Sequence, residues 1–166
     1  MQLKEKKFFV LIRKLEKKDR EEIKIILEEI ELFKKKEIDV AMELIDVSLN
    51  NSNQNDYHIF CCVDDMDIVI GYYCIGKRPM TKFTFDLYWI AVKKKFQNSG
   101  VGKFLLNDAE NYLKKIGCKL LLVETSSQSK YENTNKFYLS CDYTQIVRIK
   151  KFYNENDDLI IYSKYF

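Results

Sequence analysis

The stretch that most constrains the fold is residues 86–106, DLYWIAVKKKFQNSGVGKFLL. Its apolar run of Leu87, Tyr88, Trp89, Ile90, Ala91 and Val92, with β-branched and aromatic residues, reads as a strand. Three lysines and Gln97-Asn98-Ser99-Gly100-Val101-Gly102 follow, and Lys103 leads into an amphipathic segment. The pattern predicts a strand, a glycine-bearing loop and a helix. Glycine permits backbone angles and close approaches that a Cβ forbids. Successive N–H groups can then converge on one anion, backed by the unpaired N–H groups and dipole of a helix beginning near Val101. A diphosphate suits such a joint, although an ordinary strand-to-helix turn would use the same glycines.

Two nucleotide loops are eliminated by single residues. A Walker loop needs Ser or Thr after Gly-Lys to hold magnesium, and here Phe104 follows Gly102-Lys103. A dinucleotide fingerprint needs a third glycine, and Leu105 stands in its place.

The chain of 166 residues is long enough for one domain with a real core, and residues 1–166 read as a single domain. The content of 46% hydrophobic and 32% charged residues, with 5 Gly and 1 Pro, is that of a globular chain. A net charge of +3, from 28 basic and 25 acidic residues, is too small for a general nucleic-acid binder. Lysines 34–36 and 93–95 read as solvated clusters; the second adjoins the loop and there can meet a nucleotide's negative charge.

The 5 cysteines are odd in number and lack Cys-x-x-Cys spacing, and His58 is the single histidine, so no zinc set and no metal are expected. Free thiols in a reducing compartment are the reading. The first residues, MQLKEKKFFVLIRK, hold too short an apolar run for a signal peptide, and no segment approaches membrane-spanning length. A cytoplasmic protein without membrane partners is expected.

In chain order, residues 8–15 predict a strand, and Asp19 with Glu22 has capping-box spacing before an amphipathic helix carrying Ile23, Ile26, Leu27 and Ile30. A second helix is expected over about 39–49, then a polar loop over 50–55. Strands are predicted at 57–63, 68–75 and 83–92, with an acidic turn at 64–67. The helix after the loop closes at Lys114, Lys115 and Gly117. A strand at 119–124 follows, and the strand, crossover helix and strand imply parallel pairing. A short helix holds Asn133, Phe137 and Tyr138, and strands at 143–153 and 159–166 complete the chain, the last read as an aromatic edge.

With the strand ending Ile90-Ala91-Val92, the pattern Gln-x-x-Gly-x-Gly at 97–102 resembles the coenzyme A loop of the GNAT superfamily of N-acetyltransferases. The element order agrees from end to end, and Phe137-Tyr138 followed by Asp142-Tyr143 resembles the family's later-helix motif. That motif has asparagine, alanine and glycine where this chain has Tyr131, Thr134 and Asp142. A subgroup is resembled at Glu124-Thr125-Ser126-Ser127, Tyr131-Glu132, Thr134, Phe137-Tyr138 and Asp157-Asp158. The resemblance implies an α/β domain of α+β type. Its mixed, mostly antiparallel sheet would carry a central parallel pair splayed around the cofactor, with helices on both faces.

The implied cofactor is acetyl-CoA, with no metal. Backbone groups of Ile90, Ala91 and Val92 would hold its pantetheine arm. The loop of Gln97, Asn98, Ser99, Gly100, Val101, Gly102 and Lys103 would hold its diphosphate. Asn133 and Asn135 lie near the place of the missing family asparagine.

Transfer to an amine requires loss of a proton from an ammonium of pKa ~10, a donor for the oxyanion, and an acid for a thiolate whose conjugate pKa is about 8.5. Tyr138 aligns with the family's general acid, although on its residues alone Phe137-Tyr138 reads as core. Asp86 stands where histone-type members have a base, and Glu124 is its rival; each is equally readable as a structural acceptor, and water can also carry the proton. Strand parity puts Asp86, Tyr88, Ile90 and Val92 on one face.

The reading is an N-acetyltransferase that moves acetyl from acetyl-CoA to a primary amine of a small molecule or peptide by direct attack in a ternary complex. The alternative is a non-catalytic coenzyme A-binding or protein-interaction member of the same fold. Relatives often pair, so a homodimer is compatible with the resemblance.

Overall fold

In the computed structural model, which describes residues 9–166, the apolar periods of the chain become seven strands and four α-helices. Strand β1 is Leu11–Lys14, and the expected start at Phe8 lies outside the described residues. Helices α1 (Arg20–Glu29) and α2 (Lys35–Asn50) precede strands β2 (His58–Val63), β3 (Val69–Lys77) and β4 (Thr84–Val92). Helix α3 (Val101–Lys115), strand β5 (Leu120–Ser126), helix α4 (Glu132–Ser140), and strands β6 (Thr144–Asn154) and β7 (Asp157–Tyr165) follow.

The sheet order is β1-β2-β3-β4-β5-β7-β6, and β4–β5 is its parallel pair. Helices cover both faces. On one, Leu105, Leu106 and Leu113 of α3 and Tyr138 of α4 pack with Tyr73, Ile75 and Leu121. On the other, Ile23 and Leu27 of α1 and Ala41 and Ile45 of α2 pack with Cys61, Tyr72 and Cys74.

Three local expectations are corrected. Asp19 stands at the start of α1 but does not cap it; its buried carboxylate accepts two bonds from Arg13 (2.7 and 2.9 Å) and one from the Glu16 N–H (2.8 Å). Helix α2 begins four residues before position 39, because Glu37 accepts the N–H of Lys34 (2.6 Å) and so closes the first turn. The strand expected at the edge, β7, lies between β5 and β6, which leaves β6 as the outer strand.

The parallel pair joins residues 84–86 to 120–122 and then stops. Strand β4 stays on β3 as far as Val92 opposite Gly71, while β5 stays on β7 as far as Ser126 opposite Leu159. Held by different neighbours, the two strands part, and residues 87–92 have no strand partner on the β5 side.

A bulge also reorients β4. Cys74 pairs with Trp89 and Ile75 with Leu87, so Tyr88 is the extra residue. Phe85, Leu87, Ile90 and Val92 therefore face α3, while Trp89 and Ala91 face α1 and α2. Simple parity fails here: Asp86 lies on the face opposite Ile90 and Val92.

Candidate active site

The loop before α3 curls tightly. Asn98 (φ 58°) and Gly100 (φ 91°) both have left-handed backbone, and Gly100 caps α3 without a side-chain bond. The first N–H groups of α3 thus keep the orphan character of a helix start. Gln97 Nε2 donates to the Val92 carbonyl (3.1 Å) and the Ser99 hydroxyl to the Phe96 carbonyl (2.5 Å), which braces the loop against β4. Gly102 differs from Gly100: a Cβ there would meet the Phe137 ring at 3.6 Å, an ordinary contact, so the conformational demand for glycine falls on position 100. Of the neighbouring lysines, Lys93 is ion-paired with Glu22 and Lys95 lies 4.8 Å from the centre of the Phe96 ring.

Two cavities fill the wedge. A groove of about 450 Å³ runs from the loop to α4. Ile90 and Val92 of β4, Gln97, Asn98 and Gly100 of the loop, Gly102 and Lys103 of α3, and Asn133 and Tyr138 of α4 line it. Ala91, Ser99 and Val101 do not; Ala91 is buried on the opposite face. A second cavity, of about 270 Å³, lies between α2, the splayed strands and the β6–β7 hairpin, with Trp89, Glu124, Tyr131 and Asp157 in its walls. Both touch Ile90, Thr134 and Tyr138, so they abut at the tyrosine.

Tyr138 is buried among Phe137, Tyr143 and Tyr162, with ring centres 5.4, 5.6 and 5.8 Å away. Burial pushes its hydroxyl well above the usual phenol range and keeps it protonated.

Asp86 and Glu124 stand on neighbouring strands with Arg78 between them, its Nη1 2.7 Å from Asp86 Oδ1 and 3.6 Å from Glu124 Oε1. Burial raises the Asp86 carboxyl, against the pull of Arg78 and with a smaller push from the Glu124 charge. Glu124 reaches the second cavity, whereas Asp86 lines an adjoining one with Arg78 and Tyr88. Arg78 escapes a motif search because it looks like a turn residue after β3. The pairing of Gly76 with Asp86 is the signal that brings it back to the carboxylate.

The subgroup residues converge. Ser126 Oγ donates to Asp157 Oδ1, which also accepts the Ser127 N–H (3.3 Å), and the Asp158 N–H donates to Ser127 Oγ (2.8 Å). This ties the end of β5 to the start of β7. Tyr131, in the place of the family asparagine, lines the second cavity and not the groove. Asn135 donates to the Ser126 carbonyl (3.1 Å). Asp142, where the family has glycine, has φ 65°, a left-handed angle that aspartate tolerates better than most residues.

A splayed parallel pair with a glycine loop and helix at its mouth is the architecture of an acetyltransferase of the GNAT fold. Residues 55–145 match the family model of the acetyltransferase (GNAT) domain. The structure resembles a protein of Desulfovibrio desulfuricans assigned to the GNAT acetyltransferases, with a TM-score of 0.88, 35% identity, and coverage of 95% of this chain and 99% of that one. The chain belongs to the GNAT acetyltransferase family.

Two more distant structures share the fold. The Escherichia coli ribosomal-protein-S18-alanine N-acetyltransferase has a TM-score of 0.73 at 19% identity, over 93% of this chain and 92% of that one. Arabidopsis thaliana NAA60, solved with acetyl-CoA, has 0.74 at 14%, over 95% and 98%. No curated protein matches the chain in sequence.

Proposed function

We propose that the protein transfers acetyl from acetyl-CoA to a primary amine by direct attack in a ternary complex. The observation that carries this reading is the meeting of two cavities at Tyr138, one walled by the glycine loop and the open edge of β4, the other by carboxylates and aromatic rings. The groove fits the cofactor in kind. It offers unpaired strand edge for an extended amide-bearing arm and orphan helix N–H groups for a diphosphate.

The bound thioester supplies the activated acyl group. Ile90 and Val92 hold its arm through their backbone, and the loop of residues 97–103 binds the phosphates. Tyr138, placed where the two cavities meet, gives its proton to the departing thiolate. Asp86 or Glu124 takes the proton of the incoming ammonium, directly or through water, and Arg78 orients both carboxylates. The five buried, free cysteines support a cytoplasmic setting, and among the described residues no helix is long and apolar enough to cross a membrane. Self-association through the outer edge of β6, where Ile146, Ile149 and Phe152 are exposed, belongs to the same proposal.

Release of free thiol from acetyl-CoA, followed across a panel of amines, tests the reading. Amine-dependent release is expected. Tight acetyl-CoA binding without release on any amine would favour a non-catalytic member of the fold.

A further inference from the structure

Building on the acetyltransferase reading, we propose that the second cavity receives the distal positive charge of a small dicationic amine, a diamine or short polyamine whose other nitrogen accepts the acetyl group. Glu37 of α2, Glu124 of β5 and Asp157 of β7 bring three carboxylates to its wall. Phe33 and Trp89, edge to face at 5.1 Å, stand with Tyr131 and Tyr153 around the same space. Ring faces attract a cation, and neighbouring carboxylates, of which Asp157 is buried, add to the attraction.

Two observations show that this lining is more than a cluster of acids. Thr125 lines the cavity at 6% exposure, and its Oγ1 is buried without a partner among the described residues, a polar atom left for a ligand. The two phenols also register the negative potential. Burial first, then Glu37 and Asp157, push the Tyr131 hydroxyl to about 12, and the Tyr153 hydroxyl is raised by burial and then by Glu124, Asp157 and Glu37.

Of the basic residues near the wall, Lys130 donates to the Leu32 carbonyl (2.6 Å) and lies over the Tyr131 ring at 5.3 Å, where a ligand's cation would compete with it, and Lys34 also lines the cavity. Arg78 stands 3.6 Å from Glu124, which leaves Glu37 and Asp157, without an ion-pair partner among the described residues, as the carboxylates open to a distal charge. At about 270 Å³ the cavity holds the liquid volume of roughly nine waters, enough for a short aliphatic amine.

Trp89 is the only tryptophan and lines the cavity, so its fluorescence reports occupancy without any need for catalysis. The probes are 1,5-diaminopentane, pentylamine and 5-aminopentanoate, titrated alone and then used as acceptors with acetyl-CoA. The diamine is expected to bind about tenfold or more tighter than pentylamine, and to lead by a similar factor in kcat/KM. In Glu37→Gln, and in Tyr153→Leu on the exposed edge strand, the ratio of diamine to pentylamine affinity is expected to fall toward one. Equal affinities, or transfer that favours the monoamine or amino acid, would overturn the dicationic class while leaving the acetyltransferase reading intact. Selective diamine binding without thiol release from acetyl-CoA would keep the cation site and overturn the reading on which the acceptor role rests.

Discussion

Tyr138 sits where the two cavities meet, and it is this position that marks it as the proposed proton donor, since burial raises its hydroxyl as it does those of Tyr72, Tyr73 and Tyr143. Replacing it with phenylalanine keeps the ring packed against Tyr143 and Tyr162 and removes only the hydroxyl. Turnover should fall by about 10²-fold, the low end for a positioned acid, with little change in acetyl-CoA affinity; unchanged turnover in a thiol-release assay would end its acid role. Asp86 carries a second prediction. Burial raises its carboxyl, and Arg78 opposes the rise by favouring the charged form. A base must be ionised, so the acid limb of kcat/KM should lie above the ordinary aspartate range, and Arg78→Met should move it to still higher pH. A limb that stays put in the Arg78 variant would assign the base to another group.

Among elements, strand β4 does most to shape the site, and it is where reading from residues alone met its limit. Its existence, its parallel neighbour and the helix after the loop were all legible, because apolar runs, glycine placement and the crossover rule are local or topological signals. The bulge at Tyr88 was not: it depends on how β4 is held against β3, and it turned Asp86 away from Ile90 and Val92. Gly76 belongs to the same region. A Cβ there would lie 2.3 Å from the Asp56 carbonyl oxygen and 2.6 Å from the Tyr88 ring, so Gly76→Ala should destabilise by about 1–3 kcal/mol, seen as a lower Tm. Gly100→Glu is different, since nothing lies within 4 Å of the added Cβ. Its left-handed angle costs roughly 1–2 kcal/mol, so the fold should survive while the charged side chain at the loop abolishes acetyl-CoA binding.

Across the whole molecule, the end of the chain is locked to the helix that follows the loop. Lys164 of β7 donates to both oxygens of Glu110 on α3 (3.0 and 2.9 Å) and to the Cys141 carbonyl (3.0 Å), and the Tyr143 hydroxyl also donates to Glu110 (3.0 Å). Lys164→Met would leave the buried Glu110 without its counter-charge, at a cost of about 3 kcal/mol in denaturant unfolding. Neither Glu110 nor Lys164 stands out in the sequence, because each looks like one more surface charge until α3 and β7 are brought together. The same holds for Glu37 and Tyr153, which meet at the second cavity from distant parts of the chain. The groove was more legible because its loop is contiguous, whereas the second cavity is assembled from six separate elements, α2, β4, β5, α4, β6 and β7.

The central claim is that the wedge between β4 and β5 is an acetyl-CoA site, and calorimetric titration of the purified protein with acetyl-CoA, beside ATP and NAD, tests it most directly. Saturable one-to-one binding of acetyl-CoA in the micromolar range, with neither of the other nucleotides competing and with binding lost in Gly100→Glu, is the predicted result. Heat no greater than that of ATP, or binding that survives the Gly100 substitution, would contradict it.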